Sequence, residues 1–269
     1  MNASHIDLVR QNFIAKVSYY AQLGLPDTAF VETEALAVVD SGLPTDTFNV
    51  IVPKPMPTEA LASPLCHQLQ HFTGKHFPVA LWCWNDILSP ELAHLLTQYG
   101  LYSEESDVAM WLNLQNAAIA KPTLQGLQIH PVQTSGEYEQ FADVIAELFG
   151  DSSEADQIRL YHQKISRVHS ATQPMKLHIG IADGNVVATG TLFLSDTSAG
   201  IYDLATRPAW RGRGFGSQLF QHLIWLATQH SATQVVLQAS ADGLGIYKRA
   251  GFLEVGLVRV FGNRHVSAV

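Results

Sequence analysis

Arg211-Gly212-Arg213-Gly214-Phe215-Gly216-Ser217 decides how this chain folds. A β-rich run, 200–206, precedes it. An apolar-periodic run, 215–230, follows, with Leu219, Leu223, Ile224 and Ala227 on one face at helical spacing. The stretch is therefore a strand-to-helix junction, where free backbone N–H groups cluster at the positive end of the helix dipole. Glycines at 212, 214 and 216 let that backbone approach a ligand closely, and a pyrophosphate is the natural occupant. A dinucleotide fingerprint needs a third glycine where Ser217 stands and an acid at the end of the next strand. That strand, Val235-Val236-Leu237-Gln238, has none, and no Gly-Lys-Ser/Thr of a P-loop is present.

Outward from the junction the pattern alternates between periods of two and 3.6. Runs 176–182 and 186–193 flank Asp183-Gly184-Asn185, a strong hairpin signal. Upstream, 137–149 predicts an amphipathic helix through Phe141, Val144, Ile145 and Leu148, ended by Gly150, and 151–169 a polar helix. Downstream, 235–239 reads as a strand, 244–249 as a short helix ended by Gly251, and 252–261 as a last strand. The order is α-α-β-β-β-α-β-α-β.

Arg211-x-x-Gly214-x-Gly216 resembles the acetyl-CoA pyrophosphate motif of the GNAT N-acetyltransferase superfamily. Leu204-Ala205-Thr206-Arg207-Pro208 is similar to that family's strand, whose backbone pairs with pantetheine; Thr206 stands where valine is usual. Ser240-Ala241-Asp242-Gly243-Leu244-Gly245-Ile246-Tyr247-Lys248-Arg249-Ala250-Gly251-Phe252 resembles its second signature, with Ser240 where asparagine is common. The likeness covers about 137–261. It implies an α/β (α+β) fold whose mixed, largely antiparallel sheet is flanked by helices. It also implies acetyl-CoA as cosubstrate, bound by Leu204, Ala205, Thr206, Arg211, Gly212, Arg213, Gly214, Phe215, Gly216, Ser217, Ser240 and Tyr247. The acceptor would be a small-molecule amine or a protein amino group, attacking directly in a ternary complex.

Tyr247 is the catalytic candidate for the acid. When an amine attacks a thioester, the departing thiolate of a thiol with pKa near ~8.5 is helped by a proton. A phenol held beside the sulfur can supply it, and the family commonly uses a tyrosine here. Asp203 is the candidate for the base, since aspartate is disfavoured in strands and this one interrupts an apolar run. Alternation puts it on the face of Ile201 and Ala205, opposite Tyr202, Leu204 and Thr206. It takes the substrate's proton, only orients substrate, or is an acid hydrogen-bonded within the fold. A protein keeping the loop without the chemistry, a non-catalytic acyl-CoA binder or sensor, is the competing reading.

The first segment also alternates strand and helix. Run 47–52 is β-rich, 58–72 is helical with Leu61, Leu65, Leu69 and Phe72 on one face, and 77–84 reads as a buried strand. Ser89-Pro90-Glu91 opens a helix that Gly100 closes, and 108–114 is a strand. The segment resembles the degenerate half of tandem GNAT proteins, chiefly over 78–100. Where the pattern lapses, at Ala120-Lys121-Pro122-Thr123, the boundary falls: 1–122 is a GNAT-like half without a glycine-rich loop, and 123–269 is the acetyltransferase half.

The whole chain carries sixteen Lys and Arg against twenty-four Asp and Glu, a net charge of −8 that predicts no nucleic-acid or membrane partner. Against that acidic background Arg207, Arg211 and Arg213 predict one local anion site. Cys66 and Cys83 lack metal or disulfide spacing, the N-terminus has no apolar h-region, and no run can span a bilayer. A cytoplasmic protein is expected. His67, His71 and His76 have no third ligand or HExxH pattern beside them, so no metal is expected. Trp82, Trp84 and Trp111 read as core, with a binding groove as the lesser alternative, and the acids Asp151, Glu154 and Asp156 on 148–161 favour a cationic acceptor. Oligomeric state stays open.

Overall fold

Strands that are apolar on both sides need cover on both sides, and this chain supplies it with seven helices among the described residues. The computed structural model describes residues 4–115, 119–170, 172–196 and 198–263. Its first half runs α1 (His5–Gln22), β1 (Ala29–Glu32), β2 (Leu36–Asp40), β3 (Val50–Pro53), α2 (Thr58–Gly74), β4 (Ala80–Trp84), α3 (Pro90–Gln98) and β5 (Tyr102–Asn113). The second half runs β6 (Gln128–Pro131), α4 (Ser135–Ala146), α5 (Ser153–Ile165), β7 (Met175–Ala182), β8 (Asn185–Leu194) and β9 (Ala199–Thr206). It ends with α6 (Phe215–Gln229), β10 (Gln234–Ala239), α7 (Leu244–Arg249) and β11 (Leu253–Gly262).

Local chemistry explains the boundaries. Ser89 Oγ accepts the Leu92 amide at 3.0 Å with Pro90 in the first turn of α3. Thr134 and Glu137 form a reciprocal capping box on α4. Asp183 and Gly184, at φ +48° and +75°, make the left-handed turn that joins β7 to β8.

All strands lie in one sheet of order β1-β2-β3-β4-β11-β5-β10-β9-β8-β7-β6. Only β3–β4 and β9–β10 pair in parallel; the other eight pairings are antiparallel. The expected mixed, largely antiparallel sheet is therefore present. One relationship at its centre lies outside the expectations: the halves exchange their last strands. β11 pairs with β4 over Val258–Gly262 against Trp84–Ala80, and β5 pairs with β10 over Val108–Asn113 against Ala239–Gln234.

One face of the sheet carries a single core shared by both halves, with Phe13 of α1, Phe141 of α4, Val50, Ala109, Tyr202 and Val258. The other face carries two cores. Leu61, Phe72, Leu92 and Leu96 of α2 and α3 cover Ile51 and Leu81, and Leu219, Phe220 and Leu223 of α6 cover Val235 and Leu237. Phe72 and Phe141 are fully buried, worth about 1.5–3 kcal/mol each.

Helix α1, together with β1, β2 and β6, lies outside the elements expected from the sequence. It crosses the seam between the halves and is tied to both. Buried Arg10 holds Asp86 at 2.9 Å through each of two nitrogens, and also Asp7. Asn12 donates to the Ser198 carbonyl at 3.1 Å and accepts from the Tyr202 hydroxyl at 2.7 Å.

Candidate active site

The glycine loop sits where a strand ends and a helix begins. Gly214, at φ +81°, is the N-cap of α6, and no side chain caps that helix, so its first-turn amides are open. Gly216 sits against β9: a Cβ there would stand 2.8 Å from Thr206 Oγ1. These glycines floor a cleft of about 740 Å³ lined by Leu204, Ala205, Thr206, Arg211, Gly212, Gly214, Phe215, Gly216, Ser217, Ser240 and Tyr247. All the cofactor residues expected from the sequence except Arg213 thus line one cleft, and Arg249, Trp210 and Asp242 join them. Arg213 lies over the Trp210 ring at 4.7 Å and is not in the lining. Arg207 donates to the Val186 carbonyl at 2.8 Å and pairs with Glu147. The single three-arginine anion site expected from the sequence is therefore corrected in part: Arg211 lines the cleft, Arg213 lies against the cleft-lining Trp210, and Arg207 is taken up by Val186 and Glu147.

Strands β9 and β10 pair at only two positions, Ala199 with Val235 and Gly200 with Val236. Beyond them the strands part, and the edge of β9 at Leu204–Thr206 faces open space. Through this opening the cleft continues into a groove of about 330 Å³, which shares Leu148, Leu204, Ala205, Ser240 and Tyr247 with it. Tyr247 stands at the junction, its ring 4.9 Å from that of Phe220. Space for the ring depends on Gly243, where a Cβ would lie 2.8 Å from Tyr247 Cε2. Burial, and then the charge of Asp107, push the phenol up to about 12, so it keeps its proton across neutral pH.

Asp203 lines the same groove, by a route that simple alternation misses. Its φ is +51°, and the β8–β9 register slips between Thr189 and Thr191, where Thr191 faces Tyr202 and Thr189 faces Ala205. This bulge adds a residue to β9, so Ile201 packs toward α6 while Tyr202 and Asp203 both face α1. The expectation that Asp203 shares a face with Ile201, opposite Tyr202, is corrected. Lys16 Nζ of α1 stands 3.2 Å from Asp203 Oδ1. Burial raises the Asp203 carboxyl, but the Lys16 charge, the Thr191 hydroxyl and His162 outweigh it and leave it below the ordinary carboxylate value.

Past this ion pair the groove narrows into a chamber of about 70 Å³. Tyr20, Phe48, Val50, Ile145, Tyr161, Ile165, Met175 and Leu177 make its walls, with His162, whose burial keeps it neutral near pH 7. The acidic wall expected over 148–161 is corrected. Glu154 is bonded to Thr45 and Thr47, Asp156 pairs with Arg159, and Asp151 opens onto a separate hollow beside Arg207. From that stretch only Leu148 and Tyr161 face the groove or chamber.

The first half supplies groove residues that its sequence did not mark as functional, Phe13, Lys16, Thr47, Phe48 and Asp107, together with Trp82. Trp82 lines the groove, its ring 4.6 Å from that of Phe13, whereas Trp84 is core as expected. Asp107, on β5, faces the groove with Tyr247, and burial followed by Glu105 pushes its carboxyl up to about 6. Beside it on β10, Gln238 faces the same groove, and its Nε2 is buried without a partner among the described residues. The one signal in the sequence was an acid, Asp107, at the head of an apolar strand. His71 is bonded to Asp40 at 2.7 Å, and among the described residues no group of three or more His, Cys, Asp or Glu could hold a metal ion. Among those residues, too, no helix is long and apolar enough to cross a membrane.

Residues 139–252 match the model of the Acetyltransferase (GNAT) family. Among solved structures, a GCN5-related N-acetyltransferase from Kribbella flavida is 17% identical with a TM-score of 0.67, covering 93% of this chain and 95% of that one. A tandem GNAT protein from the clavulanic acid biosynthesis pathway is 10% identical with a TM-score of 0.59, over 97% and 96% of the two chains. A GCN5-related N-acetyltransferase from Sphaerobacter thermophilus is 14% identical with a TM-score of 0.59, over 85% and 80%. No curated protein matches the chain by sequence.

Proposed function

We propose, from the match of residues 139–252 to the acetyltransferase (GNAT) family, that this chain transfers an acetyl group from acetyl-CoA to an amine in a ternary complex. One observation carries the reading: the amide-lined cleft leads, through the parting of β9 and β10, directly to the Tyr247 phenol. The pyrophosphate lies on the open amides of Arg211–Ser217, with Arg211 and Arg249 beside it. Pantetheine extends the free edge of β9 at Leu204–Thr206 and carries the thioester to Tyr247.

Tyr247, kept protonated by its raised pKa, gives its proton to the leaving sulfur. Gln238 Nε2 is a buried donor that the acetyl oxygen can satisfy as negative charge develops there. For Asp203, orientation of substrate or a bond within the fold fits better than proton acceptance. A carboxylate held below its ordinary pKa by Lys16 is a weak base. The two halves, 1–122 and 123–269, then divide the labour: the second binds acetyl-CoA and the first walls the acceptor groove with Phe13, Lys16, Phe48 and Trp82. The unpaired thiols Cys66 and Cys83 fit a cytoplasmic setting.

Calorimetry with acetyl-CoA tests the reading. Wild type should bind, and Gly214→Asp should lose at least about a hundredfold in affinity, since it sets a side chain and a negative charge at the phosphate. Equal affinity in the two proteins overturns the assignment. Binding without thiol release across an amine panel, in wild type, favours the non-catalytic sensor.

A further inference from the structure

The acceptor's chemistry follows from two properties of the groove, resting on the acetyl-transfer reading above. The first is charge. The ionisable groups facing Asp107 across the groove are Lys16 of α1, Tyr202 and Asp203 of β9, and Tyr247 of α7, with Glu105 on its own strand. Lys16 is committed to Asp203 at 3.2 Å, and both tyrosines stay neutral. Among the described residues the Asp107 carboxylate has neither a hydrogen bond nor an ion pair. It is the one carboxylate of the groove with its charge unanswered, and it stands beside the thioester's position at Tyr247. A single ammonium restores neutrality there.

The second property is shape and polarity. From the Asp107–Tyr247 region the groove leads past the Lys16–Asp203 pair into the chamber. Phe48, Val50, Ile145, Ile165, Met175 and Leu177 make most of its wall apolar, and besides the ion pair at the mouth its polar groups are all neutral: the hydroxyls of Tyr20, Thr47, Tyr161 and Thr191, and the His162 imidazole. A second cationic arm reaching in would be desolvated beside neutral groups, since the one carboxylate there, Asp203, is already paired with Lys16. A carboxylate beside the nitrogen would sit between Asp107 and Asp203, with the only nearby cation already paired.

We propose that the acceptor is a primary amine with an apolar alkyl or aryl body and no carboxylate on the carbon next to nitrogen. Its ammonium lies on Asp107 and its body fills the chamber below Phe48. The ammonium gives one proton to the Asp107 carboxylate, and the freed lone pair forms the N–C bond to the thioester carbonyl carbon. The carbonyl π pair moves to oxygen and returns as the C–S bond breaks. Sulfur takes the Tyr247 proton, and nitrogen returns its second proton to the phenolate through solvent. The products are an N-substituted acetamide, the CoA thiol, and one proton that Asp107 releases to water. The proton acceptor for the second half's reaction thus comes from the first half, on the exchanged strand β5.

The test compares 2-phenylethylamine, phenylalanine and spermidine as acceptors for the full chain, after calorimetry has measured acetyl-CoA binding. The expected result is a kcat/KM for 2-phenylethylamine at least roughly a hundredfold above either competitor. Asp107→Asn should lower kcat/KM for 2-phenylethylamine by roughly 10²–10⁴-fold and abolish the acidic limb of its pH profile near 6, with acetyl-CoA affinity unchanged. Phenylalanine or spermidine used as well as the arylalkyl amine, or an unaltered limb in Asp107→Asn, overturns the inference. So does acetyl-CoA binding without turnover of 2-phenylethylamine, which leaves the cofactor site standing. Failure to bind acetyl-CoA overturns both readings together.

Discussion

Lys16 of the first helix and Asp203 of the bulged strand meet at 3.2 Å across the groove, 187 positions apart in sequence. The pair joins the two halves at the mouth of the chamber. It also fixes the sign of a pH effect. Asp203 has a lowered carboxyl pKa, so its contribution to stability is complete above the ordinary carboxylate value and is lost as pH falls through the lower folded value. Lys16→Met leaves the carboxylate without its cation and should cost about 1–3 kcal/mol at pH 7. Urea midpoints at pH 7 and pH 3 check this: the difference between variant and wild type should shrink at the lower pH.

Asp107 has the opposite sign. Its folded pKa, about 6, lies above the unfolded one, so the folded state favours the protonated form and the benefit disappears as pH rises through 6. Asp107→Asn should therefore stabilise the protein at pH 8, by roughly 1–2 kcal/mol once solvent screening is allowed for. A thermal melt series from pH 4.5 to 8 reads this directly. Gain of stability from a change that removes activity would mark a carboxylate retained for chemistry rather than for folding.

Tyr247→Phe should lower kcat by roughly 10²–10⁴-fold with little change in the KM for acetyl-CoA. The raised phenol should leave the wild-type rate without a basic limb of its own below about pH 10. A rate within twofold of wild type would remove the phenol from the proton path.

Gly243 controls that same ring. A Cβ at 243 would lie 2.8 Å from Tyr247 Cε2 and 3.0 Å from its hydroxyl oxygen, so Gly243→Val must swing the ring off the junction. The expected cost is roughly 10²-fold in kcat, in a protein whose circular dichroism is unchanged. Full activity would mean that the ring's position is not what matters.

Much of the second half was legible because its local signals agree. The turn at Asp183-Gly184, the periodicity of α6 and the glycines at 212, 214 and 216 each specify one geometry, and the structure keeps them to within a residue or two. Helix α1 was not legible. It buries Arg10, Asn12 and Ser18 alongside Leu8, Val9 and Phe13, so polar residues interrupt the apolar stripe that reveals a helix. Its place is set by Asp86, Ser198 and Tyr202, which lie far along the chain. Strands β1 and β6 have four residues each, too few for alternation to register. Asp203 misled by a different mechanism, because a bulge turns the period of two by one residue. Asp107 gave almost no sign, since its neighbour Tyr247 comes from the other half and only the exchange of strands brings them to one groove.

That exchange has a consequence for the chain as material. A cut within 120–123 would give two fragments, each holding the strand that completes the other's sheet: β5 with the first, β11 with the second. Alone, each would present two raw sheet edges and an uncovered apolar face, the usual prelude to aggregation. Coexpressed, they should reassociate as mutually templating pieces of one body. A change in one fragment would then be felt as a loss of solubility or chemistry in its counterpart.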